Sequence, residues 1–242
     1  MLKSIIKKYL PKRLLASVQQ YKIRKEKAKA KKTFSQSGED LIIAMWFNII
    51  GVKNPTYLDI GAYHPFFINN TALLYEQGSY GINIEPNPEG FNEFVRVRRR
   101  DINLNIGVSS QKSELLYYFM SDNTLNTFSE LEARQYAQQS IAQIQSSKAI
   151  AVDTIENVLK QYFDGKFPDL LSLDVEGLDE EILKSIHFDK YFPKIICVEI
   201  FNFSTQSVSS SLINFLESKE YKMVAFTGIN GIFLKKELYP YK

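Results

Sequence analysis

Cysteine occurs once in the 242 residues, tryptophan once and histidine twice. A single thiol excludes a disulfide framework within the chain, and no Cys-x-x-Cys pair offers a zinc site; both fit a reducing compartment. Cys197 stands in the apolar run Ile195-Ile-Cys-Val198 and reads as a small buried hydrophobe. Long apolar runs are missing too, since none reaches the ~18 residues that a membrane-spanning helix needs. The N-terminus lacks the uninterrupted apolar stretch of a signal peptide, because Lys3, Lys7, Lys8, Lys12 and Arg13 break it. Neither G-x-G-x-x-G nor G-x-x-x-x-G-K-[ST] occurs, so the two common glycine-rich phosphate cradles are excluded. The expectation is a cytoplasmic, disulfide-free globular protein.

What is present begins with a charge asymmetry. Residues 1–32 carry 12 Lys or Arg against one acid, whereas residues 33–242 carry 18 basic and 26 acidic side chains. A basic arm over 1–32 therefore precedes a mildly acidic domain over 33–242. Leu2, Ile5, Ile6, Tyr9 and Leu10, then Leu14, Leu15 and Val18 after Pro11, recur at helical spacing and predict two short amphipathic pieces. Such an arm suits an anionic membrane surface, on the inner face of the membrane, and it suits equally a second copy in a homo-oligomer. Nucleic acid is disfavoured as a partner, because no aromatic residue interleaves with the Lys run after Tyr21.

In the domain, a helical pattern over Gly38–Ile50 opens an alternation of short β-branched runs with helical patterns. Strands are predicted at Thr56–Ile60, Tyr80–Ile84, Ile102–Val108, Leu115–Met120, Leu170–Leu173, Lys194–Ile200, Tyr221–Phe226 and Gly231–Leu234. Helices are predicted at Phe66–Gln77, Pro88–Arg98, Glu130–Gln143, Thr154–Tyr162, Glu180–Ile186 and Val208–Ser218. This alternation implies an α/β fold with a mainly parallel sheet covered on both faces. Thr227-Gly-Ile-Asn-Gly231 signals a hairpin, so an antiparallel strand should end the sheet. Residues 121–150 read as an excursion over the site, and Asn123–Phe128 within it suits equally an acceptor contact or an ordinary surface loop.

Ligands of open parallel sheets bind beyond the carboxyl ends of the strands. Four apolar runs end in acids: Asp59 before Gly61-Ala62, Glu85 before Pro86-Asn87-Pro88, Asp174 with Glu176, and Glu199. Gly61 permits a tight turn, Glu85 is placed to accept from two ribose hydroxyls, and Asp174 and Glu176 share one face of an extended chain. One such acid is ordinarily a cap or turn residue; the set of four points to a pocket. With no phosphate-binding glycines, a cofactor with ribose and adenine but no phosphate fits, and S-adenosylmethionine is the common one.

Ser35-Gln-Ser-Gly-Glu-Asp-Leu41, Asp59-Ile-Gly-Ala62, Asn70-Thr71, Ile84-Glu-Pro-Asn-Pro88 and Ser172-Leu-Asp-Val-Glu-Gly177 stand in this order along the chain. Over roughly residues 33–235 the sequence resembles the FkbM family of methyltransferases. The resemblance implies a Rossmann-like methyltransferase fold with a seven-stranded sheet and an antiparallel last strand. It implies methyl transfer to a hydroxyl, typically of a saccharide, and a place in bacterial surface polysaccharide biosynthesis. By position, Asp59, Gly61 and Ala62 would contact the methionine part of S-adenosylmethionine. Glu85 would hold the ribose, Pro86 and Asn87 would shape the adenine side, and Gln36, Asn70 and Thr71 would line the same pocket. Asp174 and Glu176 would face the sulfonium and the acceptor. Tyr63-His64-Pro65 departs from the family pattern, which places a second glycine there.

A sugar hydroxyl is a poor nucleophile, so a general base is expected, with Asp174 and His64 as candidates. His187 is given no role. A divalent metal is a less favoured use of such acids, and no residue is assigned as a metal ligand. The competing class is a catalytically inactive scaffold that keeps the fold and docks at membrane assembly machinery through its basic arm.

Overall fold

Strand residues of alternate parity face opposite sides of the sheet, and both sides of this sheet are apolar. The computed structural model describes residues 32–202 and 206–240, with Ser17, Gln20 and Tyr21. The chain divides into two units, Met1–Lys32 and Thr33–Lys242. In the first, Ser17, Gln20 and Tyr21 are helical; the remainder of the expected basic arm lies outside the described residues.

The second unit is built on a seven-stranded sheet. Its strands are β1 (Tyr57–Ile60), β2 (Gly81–Ile84), β3 (Ile102–Leu104), β7 (Leu170–Leu173), β8 (Ile195–Glu199), β11 (Tyr221–Phe226) and β12 (Asn230–Lys235). The order across the sheet is β11-β12-β8-β7-β1-β2-β3. All pairings from β8 to β3 are parallel, and β12 runs antiparallel to both its neighbours. The expected mainly parallel seven-stranded sheet with an antiparallel last strand is borne out.

Leu58, Ile60, Ile82, Ile84, Leu171, Leu173, Ile196 and Val198 pack on one side. They meet α5 (Ile155–Tyr162), α6 (Asp179–Lys184) and α7 (Ser210–Ser218). Tyr57, Leu170, Ile195, Cys197, Ile232 and Leu234 pack on the other, against α1 (Glu39–Ile49) and α2 (Ala72–Glu76). Helix starts follow local chemistry: Asn87, Ser129, Thr154 and Ser209 each accept a backbone N–H of the first turn. In α3 (Pro88–Val97), Pro88 occupies the first turn, where its missing N–H costs nothing.

Three expectations are corrected. Of Phe66–Gln77 only α2 is helical, because the preceding chain folds back irregularly, with Ile68 at φ 49°. The run Ile102–Val108 breaks into β3 and β4 (Gly107–Val108). Within 121–150 lies a strand, since β5 (Ser113–Met120) pairs antiparallel with β6 (Ile144–Asp153) in a second sheet, order β4-β6-β5. A 3-10 turn (Asn123–Leu125) and α4 (Glu130–Gln138) join β5 to β6. β9 (Phe201–Asn202) pairs with β10 (Ser207–Val208) in a separate two-stranded ladder, and a second 3-10 turn (Lys236–Leu238) follows β12. Among the described residues no helix is long and apolar enough to cross a membrane.

On the α1 side a charge network replaces apolar packing. Arg98, 0% exposed, pairs with Asp101 at 2.8 Å, and its Nη1 donates to the Pro65 carbonyl at 2.9 Å. Its Nη2 donates to the Tyr57 hydroxyl (2.9 Å) and to Thr71 Oγ1 (3.1 Å). Tyr57, the Gly81 N–H and Asn83 donate in turn to the Asp101 carboxylate. Removing one partner of such a pair leaves a buried uncompensated charge. Arg98→Met is therefore expected to lower unfolding free energy by about 3–5 kcal/mol, measured by urea titration; a loss under ~1 kcal/mol would contradict the network's role.

Candidate active site

The carboxyl ends of β1, β2, β7 and β8 open into a cavity of about 320 Å³, within the size range of small-ligand sites. Gly61, at φ 76°, forms its floor: a Cβ there would lie 1.7 Å from the Asp174 carbonyl oxygen, so β1 and β7 close on each other only through glycine. The Gly61 and Ala62 N–H groups donate to the Ile84 carbonyl, which fixes the turn against β2.

Glu85 ends β2 on the cavity wall at 5% exposure. Its Oε2 accepts from the Tyr63 N–H at 2.7 Å and its Oε1 from the Asn87 N–H at 2.8 Å. Each oxygen keeps a lone pair for a ligand hydroxyl. Burial pushes this carboxyl up to about 8, against the pull of those two N–H donors.

Asp174 follows β7, Glu176 comes two residues later and Glu199 ends β8; all three line the cavity. One oxygen of each lies within 4.8 Å of the others. Glu176 holds a left-handed backbone, φ 53°, secured by the excursion: Thr127 Oγ1 donates to its carbonyl at 2.7 Å and the Tyr136 hydroxyl to its Oε2 at 2.6 Å. All three carboxyls are raised, first by burial; for Asp174 the Glu176 charge comes next, and for Glu199 the Asp174 charge. Tyr117, Leu125, Phe128, Tyr136 and Ile141 form an apolar and aromatic wall, with Asn123 and Asn126 among them. No described residue lining the cavity is Lys, Arg or His.

Of the residues singled out in the sequence, Gln36, Gly61, Glu85, Pro86, Asp174 and Glu176 line the cavity. Others are placed elsewhere. Asp59 is buried behind the turn, where Asn69 and Thr71 donate to its Oδ2. Thr71 thus links Arg98 to Asp59. Asn70 donates to Ser172 Oγ at 3.2 Å, and Ala62 is buried beneath the turn. Asn87 caps α3. His64 does not line the cavity: its Nδ1 accepts the Phe66 N–H, and its Nε2 lies 3.1 Å from Glu93.

Tyr63, Tyr117, Tyr136 and Ile141 carried no sequence signal, because long-range folding of β5 and the excursion brings the last three to the site. Glu199 did carry one, as one of the four acids ending apolar strands, and the fold brings it to Asp174 and Glu176. The Asn123–Phe128 segment, equally readable as a surface loop, supplies five lining residues.

The family model for the methyltransferase FkbM domain matches residues 59–223. Among solved structures, the chain is similar to a methyltransferase FkbM from Methylobacillus flagellatus, with 13% identity and a TM-score of 0.46 over 75% of this chain. The aligned part is 44% of that protein, so the chain spans less than half its length. A TehB-like SAM-dependent methyltransferase from Corynebacterium glutamicum shows 14% identity and a TM-score of 0.43, covering 91% of this chain and 99% of that one. The 1,6-didemethyltoxoflavin-N1-methyltransferase of Burkholderia thailandensis, bound to its substrate and S-adenosylhomocysteine, shows 13% identity and a TM-score of 0.41, covering 93% and 89%. No curated protein matches the chain.

The raised Glu85 carboxyl has a consequence for stability. The folded chain keeps a proton that the unfolded chain, with its ordinary value of 4.5, has lost, so this contribution is full below about 4.5 and is lost as pH rises through about 8. With no cofactor added, Glu85→Gln should gain on the native chain by up to about 1.4 kcal/mol per pH unit across that window. Urea midpoints at successive pH values read the slope, and parallel pH curves for the two chains would refute it.

Proposed function

The chain belongs to the FkbM family of methyltransferases, and on that premise we propose that it transfers the methyl group of S-adenosylmethionine to a hydroxyl of a saccharide, in the building of bacterial surface polysaccharide. The observation that carries the reading is the cavity's chemistry: a glycine floor, a ribose-height carboxylate and three further acids, with no basic side chain among the described lining residues. A phosphate-bearing cofactor would find no counter-charge there, whereas a sulfonium suits such a wall. The free lone pairs of Glu85 on the cavity wall fit the ribose hydroxyls of an adenosyl cofactor.

When bound, S-adenosylmethionine supplies an electrophilic methyl group on a positively charged sulfur. The chain's residues do the remaining work. Glu85 accepts the ribose hydroxyls, and Gly61 and Gln36 line the same cavity. Tyr117, Phe128 and Tyr136 offer ring faces to the apolar face of a sugar, and Asn123 and Asn126 offer amides to its hydroxyls. Alignment of the acceptor oxygen with the methyl group supplies much of the rate. Asp174, whose raised carboxyl has no hydrogen-bond partner among the described residues, stands as the base for the hydroxyl proton. For residues 1–32, the excess of basic side chains supports docking on an anionic membrane surface.

Titration calorimetry of the full chain with S-adenosylmethionine should show binding, and Glu85→Ala should weaken it by about 100-fold through loss of the hydrogen bonds to the two ribose hydroxyls. Absence of binding, or indifference to Glu85→Ala, would favour the inactive scaffold. In co-sedimentation, the full chain should pellet with vesicles containing anionic lipid more than a chain starting at Thr33 does; equal pelleting would remove the membrane partner.

A further inference from the structure

Three carboxyl groups meeting inside 4.8 Å cannot all be charged. At a separation near 4 Å each pair of full negative charges costs about 4 kcal/mol even at an effective dielectric of 20, so the cavity holds at least one proton while no cation is present. The cluster spans two strand ends: Asp174 and Glu176 follow β7, and Glu199 ends β8. Only Glu176 has a hydrogen-bond donor, the Tyr136 hydroxyl. Among the described residues the carboxyls of Asp174 and Glu199 have neither a hydrogen bond nor an ion pair.

Among the described residues, nothing that faces the cluster supplies positive charge. Asp179 on α6, Glu132 and Tyr136 on α4, and Asp122 before the 3-10 turn act on Glu176. Asp59 on β1 and Glu39 on α1 act on Asp174 from the other side of the sheet. The charges of these acids raise the affinity of the cluster for protons, and only the hydrogen bond that the Tyr136 hydroxyl donates to Glu176 opposes them.

We propose that the Asp174–Glu176–Glu199 cluster is a charge-exchange site, which gives up a proton to solvent when the methyl donor's sulfonium enters and regains one from the acceptor hydroxyl when the methyl group leaves. This rests on the methyl-donor reading above and deepens it. The charge count closes: the acceptor oxygen forms the new O–CH3 bond, the electrons of the broken S–CH3 bond stay on a now neutral sulfur, and the hydroxyl proton passes to a carboxylate of the cluster. The negative charge freed of its sulfonium partner is thereby neutralised at the moment the partner disappears. The cluster is then both the reason a sulfonium is favoured and the acceptor of the proton that the reaction must dispose of.

S-Adenosylmethionine and S-adenosylhomocysteine differ by the methyl group and its positive charge, so the pair isolates this exchange. Calorimetry of the full chain at pH 7 in phosphate and in Tris gives the protons released with each ligand. The methyl donor should release about half a proton or more beyond that released by S-adenosylhomocysteine, and its affinity relative to S-adenosylhomocysteine should rise with pH by up to about tenfold per unit. Glu199→Gln should shrink the difference in proton release while both ligands still bind. Equal proton release by the two ligands overturns the exchange and leaves the methyltransferase reading intact; absence of binding by either removes both. Titration with magnesium chloride is the remaining arm: if the metal alone releases the proton and abolishes the difference, the cluster serves a cation and the proposal falls.

Discussion

The Arg98 guanidinium is the constraint around which the cofactor side of this domain is arranged. It is fully buried and flanked by the Tyr75 ring, with its Cζ 4.4 Å from the ring centroid. A charge in that position is tolerable only when its donors are satisfied. The partners it takes are spread along the chain: the carbonyl of Pro65, the hydroxyls of Tyr57 and Thr71, and the carboxylate of Asp101. Satisfying Arg98 therefore sets where the irregular segment before α2 must run. Through Thr71 the same guanidinium reaches Asp59, and Asn69 ties Asp59 to the Ala62 carbonyl. The turn at Gly61 thus has its shape imposed from below the sheet, and the cavity floor inherits it.

The cavity follows the opposite rule. The excursion that roofs it brings Tyr136 and Thr127 onto Glu176 and an aromatic wall onto the acids, but no described basic side chain. Burying acids without counter-charge destabilises the folded chain at neutral pH, as the raised carboxyls of Glu85, Asp174 and Glu199 record. A positively charged ligand relieves that cost, so affinity and local instability share one origin.

What could be read from the sequence divides along physical lines. The sheet was legible because β1, β2, β7 and β8 are short β-branched runs separated by helical patterns. Their ends were legible because an acid closing such a run stands at a sheet edge whatever the rest of the chain does. Which way each acid faces was not legible. Asp59 and Glu85 both stand at the ends of apolar strands, yet one turns under the sheet toward Thr71, on the side of Tyr57 two residues before it, and the other faces the cavity. β6 escaped notice because Ile144-Gln-Ser-Ser-Lys-Ala-Ile is exposed along nearly its whole length, so no apolar alternation marks it. The helix expected from Phe66 failed for a related reason. Its apolar residues fit a helical period, but the Pro65 carbonyl and the Thr71 hydroxyl are held by Arg98, and the chain between them takes the path this allows.

The two networks also explain why the departure at Tyr63-His64-Pro65 leaves the turn intact. A second glycine is useful where the backbone must take a left-handed step without a side chain. Here Tyr63 takes that step itself, at φ 56°, and its N–H is held by Glu85. Left-handed backbone in a non-glycine residue costs roughly 1 kcal/mol, comparable to what one hydrogen bond returns. The arrangement makes Glu85 a partner of the turn as well as a wall of the cavity. Pro65 then fits because its carbonyl, not its missing N–H, is what Arg98 requires. His64, between a strained tyrosine and a committed proline, is left to the rim, where its ring meets Glu93 and Phe67 rather than the cavity.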